Sequence, residues 1–412
     1  MINFLKKTDL KINNLIRQEF ERHNEGLNLI ASDNYTSLAV RSAVGSILSA
    51  RYAEGYPEKR YYSGQQFIDQ IEKIAIARAK KVFSANFANV QPHSGSQANQ
   101  AVYFALLKPG DTVLSMKIDQ GGHLSHGSPV NFSGSLYNFI FYGVDKKTEQ
   151  IDFNEVRKIA KSKKPKLIIA GASSYSRQID FSKFGKIAKE TGSYLMADIA
   201  HIAGLVAADL HPHPFPYCDV VTMTTHKTLR GSRGGLILSK DKEIAEKIDK
   251  AIFPGLQGGP LQNEIAGKAV ALKEAQQKKF VDYQKQVIKN AKVLADVFVE
   301  NGFDLVSGGT DNHLILINLT KLGLSGKKVQ EALELANLYV NRNMIPYDTR
   351  SKWETSGVRI GTPCVTTKGL KEKEMKQVAS FVIRIIKNIN NKEIRRKVKE
   401  EVIKLSKKFP IL

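Results

Sequence analysis

Ile12, Leu15, Ile16 and Phe20 recur at helical spacing, which predicts an amphipathic helix starting near Thr8 or Asp9. Residues 26–66 break that rhythm with Gly26, Gly55, Pro57 and Gly64 among Tyr52, Tyr56, Tyr61 and Tyr62. Such a stretch is either a disordered arm or an ordered functional loop, and its aromatic content favours order. From about residue 67 to 240 helical and strand patterns alternate. A helix over 67–84 precedes the polar loop Pro92–Asn99 and a helix to Leu107. Strands follow over Thr112–Met116, Leu167–Ala170, Tyr194–Ala197, Val220–Thr224 and Gly235–Leu238, with amphipathic helices between several of them. This predicts an α/β fold whose mostly parallel sheet is covered on both faces, with ligands at the carboxyl ends of its strands.

Pro254, Gly255, Gly258, Gly259 and Pro260 punctuate the end of that unit. A long helical stretch over about 261–300 follows. Residues 303–370 then mix strands (Leu314–Leu319, Val358–Ile360) with a short helix, as in a small α+β domain. In the tail 371–412, Val378, Phe381, Val382, Ile385, Ile386 and Ile389 keep helical spacing, so the tail should pack through one face. The expected organisation is an N-terminal helix and arm over 1–66, a large domain over 67–260, and a linking helix with a C-terminal small domain over 261–412.

A chain of 412 residues is too long for one core and suits two domains. Its 42% hydrophobic and 25% charged residues exclude wholesale disorder, a collagen-like repeat and a coiled-coil rod. The net charge of +22 attracts polyanions such as nucleic acid, phosphorylated cofactors or carboxylate-rich substrates, or else reflects a lysine-rich composition. No nucleic-acid partner is expected, because the positive residues are dispersed and no helix-turn-helix, zinc-finger or RNA-binding signature is present. Cys218 and Cys364 form neither a disulfide framework nor a zinc pattern, so no metal is expected and a reduced cytosol is the natural compartment. The N-terminus has no signal-like apolar run, and nowhere do about 18 apolar residues run together. A cytoplasmic protein without a membrane partner is expected.

The strongest local chemistry is Thr224-Thr225-His226-Lys227 at the end of the Val220 strand, followed by Arg230 and Arg233. A desolvated lysine there becomes a nucleophilic amine able to form a Schiff base, whereas a solvated loop lysine does nothing of the kind. Asp198 ends the Tyr194 strand. It either caps the following helix or holds a pyridine nitrogen protonated, the partner that pyridoxal phosphate chemistry uses. Ser94-Gly95-Ser96-Gln97-Ala98-Asn99 lies ahead of a helix and offers N–H groups and hydroxyls to an anion, although such loops also simply cap helices. His123 offers a ring that could stack on a cofactor or serve the structure alone.

Leu29-Ile30-Ala31-Ser32, Tyr52-Ala53-Glu54-Gly55-Tyr56-Pro57, Gln91-Pro92-His93-Ser94-Gly95-Ser96-Gln97, Gly122-His123-Leu124-Ser125-His126-Gly127, Thr225-His226-Lys227-Thr228-Leu229, Gly258-Gly259-Pro260 and Gly357-Val358-Arg359-Ile360-Gly361-Thr362-Pro363 together resemble serine hydroxymethyltransferase. The resemblance runs from about residue 9 to the C-terminus. It implies the fold-type-I architecture of pyridoxal phosphate enzymes, similar to aspartate aminotransferase, with the large domain binding the cofactor. It also implies a homodimer with shared active sites, with a dimer of dimers as the alternative assembly. Serine, glycine and tetrahydrofolate would be its small-molecule partners.

By the same resemblance Lys227 carries the cofactor covalently, Asp198 meets the pyridine nitrogen, and His123 stacks on the ring. Ser94, Gly95, Ser96 and the partner subunit's Gly259 hold the phosphate, while Ser173 and His201 bond the 3-oxygen side. Arg359 grips the substrate carboxylate with help from Ser32. Glu54, with Tyr52 and Tyr62, approaches from the partner, and the catalytic group comprises Lys227, Glu54, His226 and Tyr62. Ile118, Gly122, His123, Leu124, Asn343 and the segment Ser351, Lys352 and Trp353 match folate-lining positions. A guanidinium pairs bidentately with a carboxylate, which independently suits Arg359 to an amino-acid substrate. A partly buried Glu54 could stay protonated and serve as acid or base. The chain departs from the family at Asp33 (usually Glu), Gln120 (usually His), Gln66 (usually acidic) and Lys352-Trp353-Glu354.

Overall fold

The computed structural model describes residues 2–411. Its large sheet contains seven strands: β1 (Phe87–Asn89), β2 (Thr112–Met116), β3 (Asn138–Tyr142), β4 (Leu167–Gly171), β5 (Tyr194–Asp198), β6 (Val220–Thr224) and β7 (Gly235–Ser239). They lie in the order β1-β7-β6-β5-β4-β2-β3. Only β7 runs against its neighbours, pairing antiparallel with both β1 and β6. The predicted mostly parallel sheet is present, and its central strands begin where the sequence pattern places them. The pattern does not single out the two edge strands, β1 and β3. β1 is short, and β3 is half-buried rather than uniformly apolar.

Alternation along each strand separates two apolar layers. Val113, Leu167, Ile169 and Met196 point to one face, and Leu114, Ile168, Ala170 and Leu195 to the other. Helices cover both. Asp152 and Asp180 cap two of them, each accepting two backbone N–H groups at the start of Phe153–Lys163 and Phe181–Thr191.

A second sheet of four strands holds β8 (Asp304–Leu305), β9 (Leu314–Asn318), β10 (Asn341–Asn343) and β11 (Gly357–Gly361), in the order β8-β9-β11-β10. Its apolar core is separate and includes Ile315, Ile317, Val358 and Ile360. The predicted helical stretch 261–300 is two helices, Gln262–Ala275 and Lys278–Glu300. The first packs against the arm helix Leu38–Val44 and against the large sheet's core. The second starts there with Phe280 and ends in the small core with Leu294 and Phe298. The tail helix Glu372–Lys387 buries Val378, Phe381, Val382, Ile385 and Ile386, as its spacing predicts. Pro254 lies inside a widened helical turn, Ala251–Leu256, just before the glycine cluster.

The arm over 26–66 is ordered. Leu27–Asn28 pairs with Leu338–Tyr339, and Leu29 accepts from Gly361 N at 2.7 Å. Gly55–Tyr56 turns back onto Lys59–Arg60. Gly55 has φ +92°, and a Cβ there would lie 2.2 Å from the Lys59 carbonyl. The first long helix, Leu10–Glu25, starts at its Asp9 cap, where Ile12 N donates to Asp9 Oδ1 at 3.0 Å. Its apolar face finds no cover within the chain: Ile16 is 56% and Leu15 51% exposed. Among the described residues no helix is long and apolar enough to cross a membrane, and no cluster of His, Cys, Asp and Glu suits a metal ion.

Candidate active site

A cleft of about 510 Å³ opens at the carboxyl ends of β4, β5 and β6, facing the small sheet. Lys227 lies three residues beyond β6, behind Thr224 and Thr225. Its amine is buried, and that burial pushes its pKa down to about 8; Asp198 opposes the shift while Arg359 and Arg233 reinforce it. The lysine therefore reaches its nucleophilic, neutral form close to neutrality.

Asp198 ends β5 and is only 9% exposed. Burial alone would raise its pKa, yet the hydrogen bonds and charges around it hold the carboxyl well below the usual range. His126 Nε2 and Asn99 Nδ2 each lie 2.9 Å from Oδ2. Oδ1 meanwhile accepts Ala200 N at 3.0 Å. The carboxylate thus caps the turn after its strand rather than the following helix, which starts only at Ala203, and it stays ionised on the cleft floor.

Ser94, Gly95 and Ser96 stand at the N-terminus of helix Gly95–Leu106, with Ser94 Oγ accepting Gln97 N at 3.1 Å. Gly95 allows the helix to approach β6: a Cβ there would meet Thr224 Cγ2 at 2.5 Å. Across the cleft, Arg359 on β11 is buried. Its Nε donates to Asn341 at 3.0 Å and its Nη1 to the Ser173 carbonyl at 2.5 Å. Burial lowers it to about 10, where it remains cationic at neutral pH.

His123 bonds Ser125 Oγ at 2.8 Å and is pushed to about 4, chiefly by burial and then by His126. Burial likewise lowers His226 to about 3 and His201 well below the ordinary range. His123, His201 and His226 are therefore neutral. Ser32, Ser173, Ile118, Gly122, Leu124 and Asn343 complete its predicted lining. Asn343 Nδ2 also donates to Ser174 Oγ at 3.2 Å.

The remaining predicted residues lie elsewhere. Tyr52 and Tyr62 meet edge to face at 5.3 Å. Gly258 and Gly259 pack on this group, since a Cβ at Gly258 would lie 2.7 Å from Glu54 Oε1 and one at Gly259 would lie 3.4 Å from Tyr52. This cluster does not line the chain's own cleft. Nor do Ser351, Lys352 and Trp353. Trp353 is 66% exposed, with Lys352 Nζ 5.4 Å from its ring centroid. Gln120 is buried, and its Oε1 accepts Val144 N at 2.8 Å, so it serves the backbone beneath the cleft. Asp33 lines the cleft and accepts Asn28 Nδ2 at 3.0 Å.

Sequence reasoning assigned no role to Asn99, His126, Arg233 or Asn341. Asn99 is the most connected of them: it bonds Asp198 and Ser125 through Nδ2 and accepts Thr222 Oγ1 at 2.7 Å. An amide buried on a helix otherwise lined with Ala98, Ala101 and Val102 was the available signal. His126 carried a similar one, as a second histidine three positions after His123.

A buried amine, an ionised carboxylate, a helix N-terminus and a guanidinium in one cleft can bind a phosphorylated carbonyl compound together with an amino acid. The model of the serine hydroxymethyltransferase family matches residues 5–382 of the chain. A serine hydroxymethyltransferase of Methanosarcina barkeri (strain Fusaro / DSM 804) is 56% identical over 410 residues, covering 100% of both chains. One from Prochlorococcus marinus (strain AS9601) is 54% identical over 407 residues, covering 99% of this chain and 96% of the relative.

Proposed function

Because the chain belongs to the serine hydroxymethyltransferase family, we propose that the cleft around Lys227 and Asp198 is where its chemistry occurs. The family's reaction is the reversible transfer of the hydroxymethyl carbon of serine to tetrahydrofolate, giving glycine and 5,10-methylenetetrahydrofolate. It depends on pyridoxal 5′-phosphate. The observation that carries the site reading is the pairing of a buried Lys227 amine with an ionised, hydrogen-bonded Asp198 in one cleft.

The residues present fit the cofactor. The head of helix Gly95–Leu106, with Ser94 and Ser96, suits a phosphate, while the missing Cβ of Gly95 leaves the helix seated against β6. The bound cofactor supplies an electron-withdrawing ring that accepts the electron pair left on Cα when a substituent departs. Lys227 would provide the amine that holds its aldehyde carbon, and His226 would flank that amine as a neutral ring. Asp198 holds a proton at the pyridine nitrogen; the N–H donors of His126 and Asn99 keep it anionic for that task. His123 would stack on the ring, and Ser173 and His201 would bond its 3-oxygen side; all three line the cleft.

Arg359 and Ser32 orient the amino-acid carboxylate. Glu54 moves the proton of the serine hydroxyl, with Tyr52 and Tyr62 beside it, and Ile118, Gly122, His123, Leu124 and Asn343 receive the folate. Ser351, Lys352 and Trp353, outside the cleft lining, would reach only the outer part of a bound folate.

The working unit on this reading is a homodimer in which Glu54, Tyr52, Tyr62 and Gly259 serve the partner's cleft. Their placement outside the chain's own cleft supports this, as does the uncovered apolar face of Leu10–Glu25. On this reading the chain divides into an arm (1–66), a cofactor domain (67–260) and a linking helix with a small domain (261–412). The separate apolar cores of the two sheets support two domains, with helix Gln262–Ala275 packed in the large core and Leu27 and Leu29 of the arm in the small one. The reduced-cysteine composition supports a cytoplasmic setting.

Borohydride reduction of the holoenzyme followed by peptide mapping tests the site. Label on Lys227, with serine cleavage that depends on tetrahydrofolate, is expected. Label on another lysine would overturn the assignment, and folate-independent cleavage at equal rate would point to an aldolase of the same fold.

A further inference from the structure

Two histidines share an edge at the back of the cleft. His201 Nδ1 lies 3.3 Å from His313 Nε2, with ring centroids 5.5 Å apart and 28° between planes, so the rings meet edge to edge. His201 lines the cleft and its Nε2 makes no hydrogen bond among the described residues. His313 is fully buried and lines no part of the cleft. It comes from the other side of the molecule, immediately before β9. Its carbonyl accepts Thr362 N at 3.0 Å, the next residue, Leu314, is in register with Gly361 of β11, and Asp311 N is tied to the Ser176 carbonyl at 2.8 Å. The ring therefore has a fixed position relative to both sheets.

Burial and the nearby Lys227 and Arg359 keep both imidazoles neutral. A neutral imidazole has one N–H and one bare nitrogen, so a shared edge needs one ring to donate and the other to accept. The 3-oxygen of pyridoxal is a phenolic oxygen beside an electron-withdrawing ring, and such an electron-rich atom is best met by a donor. If His201 Nε2 carries the proton that meets it, Nδ1 is bare, and the one group placed to satisfy it is His313 Nε2–H.

We propose that His313 is a positioning residue for the reaction: its Nε2–H donates to His201 Nδ1 and holds His201 as the tautomer that presents Nε2–H to the cofactor's 3-oxygen. The proposal deepens the reading of the cleft as the pyridoxal phosphate site and rests on it. It also makes the small sheet a contributor to cofactor electronics, through a residue that touches neither cofactor nor substrate. A second neighbour that sets a histidine's tautomer has large kinetic leverage in other enzymes.

The test begins with apoprotein labelled with ¹⁵N-histidine, in which two-bond ¹H–¹⁵N correlations report each tautomer. His201 is assigned by the loss of its signals in His201→Gln. Wild-type protein should show Nε2–H on both His201 and His313. In His313→Leu the His201 signal should shift toward the Nδ1–H form, and in His313→Gln, whose amide can still donate, it should stay. In holoenzyme His313→Leu should lower kcat by on the order of ten- to a hundredfold with serine KM little changed, and His313→Gln should recover most of the loss. Nδ1–H on His201 in the wild type overturns the proposal even if no variant folds, as does an unchanged tautomer and kcat in folded His313→Leu. If the wild-type tautomers are as stated but pyridoxal phosphate fails to bind, the reading of the site falls and the His313–His201 bond stands.

Discussion

His126 Nε2 lies 2.9 Å from Asp198 Oδ2, with His126 only 1% exposed. His126 Nδ1 accepts the backbone N–H of His123 at 3.4 Å, which leaves Nε2 as the proton-bearing nitrogen. The same turn thus presents His123 to the cleft and its third neighbour to the carboxylate. Residues 122–127 act as one unit because the backbone bond ties the two rings' positions together.

Asp198→Asn keeps the shape of the carboxyl and removes its charge. Turnover should fall by on the order of 10²–10³-fold with the fold intact, because a fixed charge aimed at the reacting system is lost. The folded pKa of Asp198 is depressed, so the stability it contributes is present above the unfolded value of about 3.9 and is lost as pH falls below that. Urea unfolding from pH 2 to 8 should show a constant gap between wild type and variant above about pH 4 that narrows progressively as pH falls below it. A pH-independent gap would mean that the charge does not act through this linkage.

Lys227 loses its proton at about 8 in the free protein. Only the neutral amine attacks an aldehyde, so the rate of cofactor capture by apoprotein should rise with pH and level off above that value. Stopped-flow absorbance between pH 6.5 and 9.5 measures it. A rate that is flat across this interval, or still climbing at its top as for an ordinary solvated lysine near 10.4, would contradict the burial-driven shift.

Lys268 reaches from helix Gln262–Ala275 to three carbonyls, those of Val90 at 2.7 Å and of Pro92 and Gly235 at 3.0 Å. An ammonium has three donors, and here each is used. The contacts join the two backbone segments that lead into Ser94 and β7. Lys268→Met leaves buried carbonyls without partners, which should destabilise by at least about 3 kcal/mol. Denaturant unfolding with an unchanged midpoint would show that the carbonyls find other donors.

How much of this was legible in the chain depended on the range of the interactions. Val220–Thr224 and Thr112–Met116 are short apolar strands bounded by turn residues, and local pattern suffices to find them. The split between Gln276 and Gln277 was hidden because apolar residues continue at helical spacing on both sides of it. Lys227, Asp198, Ser94 and Arg359 sit in motifs with a chemical rationale, and the cleft gathers them. His313, Asn99 and Lys268 carry no local signal of comparable strength, since each matters through partners 99 or more positions away or across two sheets. The same is true of Glu54, whose place outside the cleft lining follows only from the arrangement of whole elements.

On the proposed reading, Arg359→Ala removes charge-assisted hydrogen bonds to the amino-acid carboxylate, worth roughly 1.5–3 kcal/mol. Serine affinity should therefore fall by about one to two powers of ten, measured by titration of holoenzyme. Glu54→Gln should show the opposite split. Its serine affinity should hold while kcat drops by about 10²–10⁴-fold, since proton transfer is lost and shape is kept. An exchange of these two patterns would mean that the two roles are reversed.

Mixing two inactive variants tests whether Glu54 serves the neighbouring cleft. Tyr52, Glu54 and Tyr62 lie together against Gly258 and Gly259, outside the cleft that holds Lys227. Lys227→Ala and Glu54→Gln homodimers should each be nearly inactive. In a mixed dimer, one cleft carries both lesions, while the other combines an intact Lys227 from one chain with an intact Glu54 from its partner. Subunit exchange should therefore restore activity, to one functional site for each mixed dimer. If Glu54 instead acted within its own chain, every cleft of the mixed dimer would hold one lesion and mixing would restore nothing. Exchange must be verified independently, by native mass spectrometry of differently tagged subunits, so that a null result counts against shared sites. Ile16→Asp with Phe20→Asp, placed on the uncovered face of Leu10–Glu25, should weaken the dimer and lower the activity at dilute protein concentration. Activity that is independent of concentration in a demonstrably monomeric variant would refute the dependence of the site on two chains.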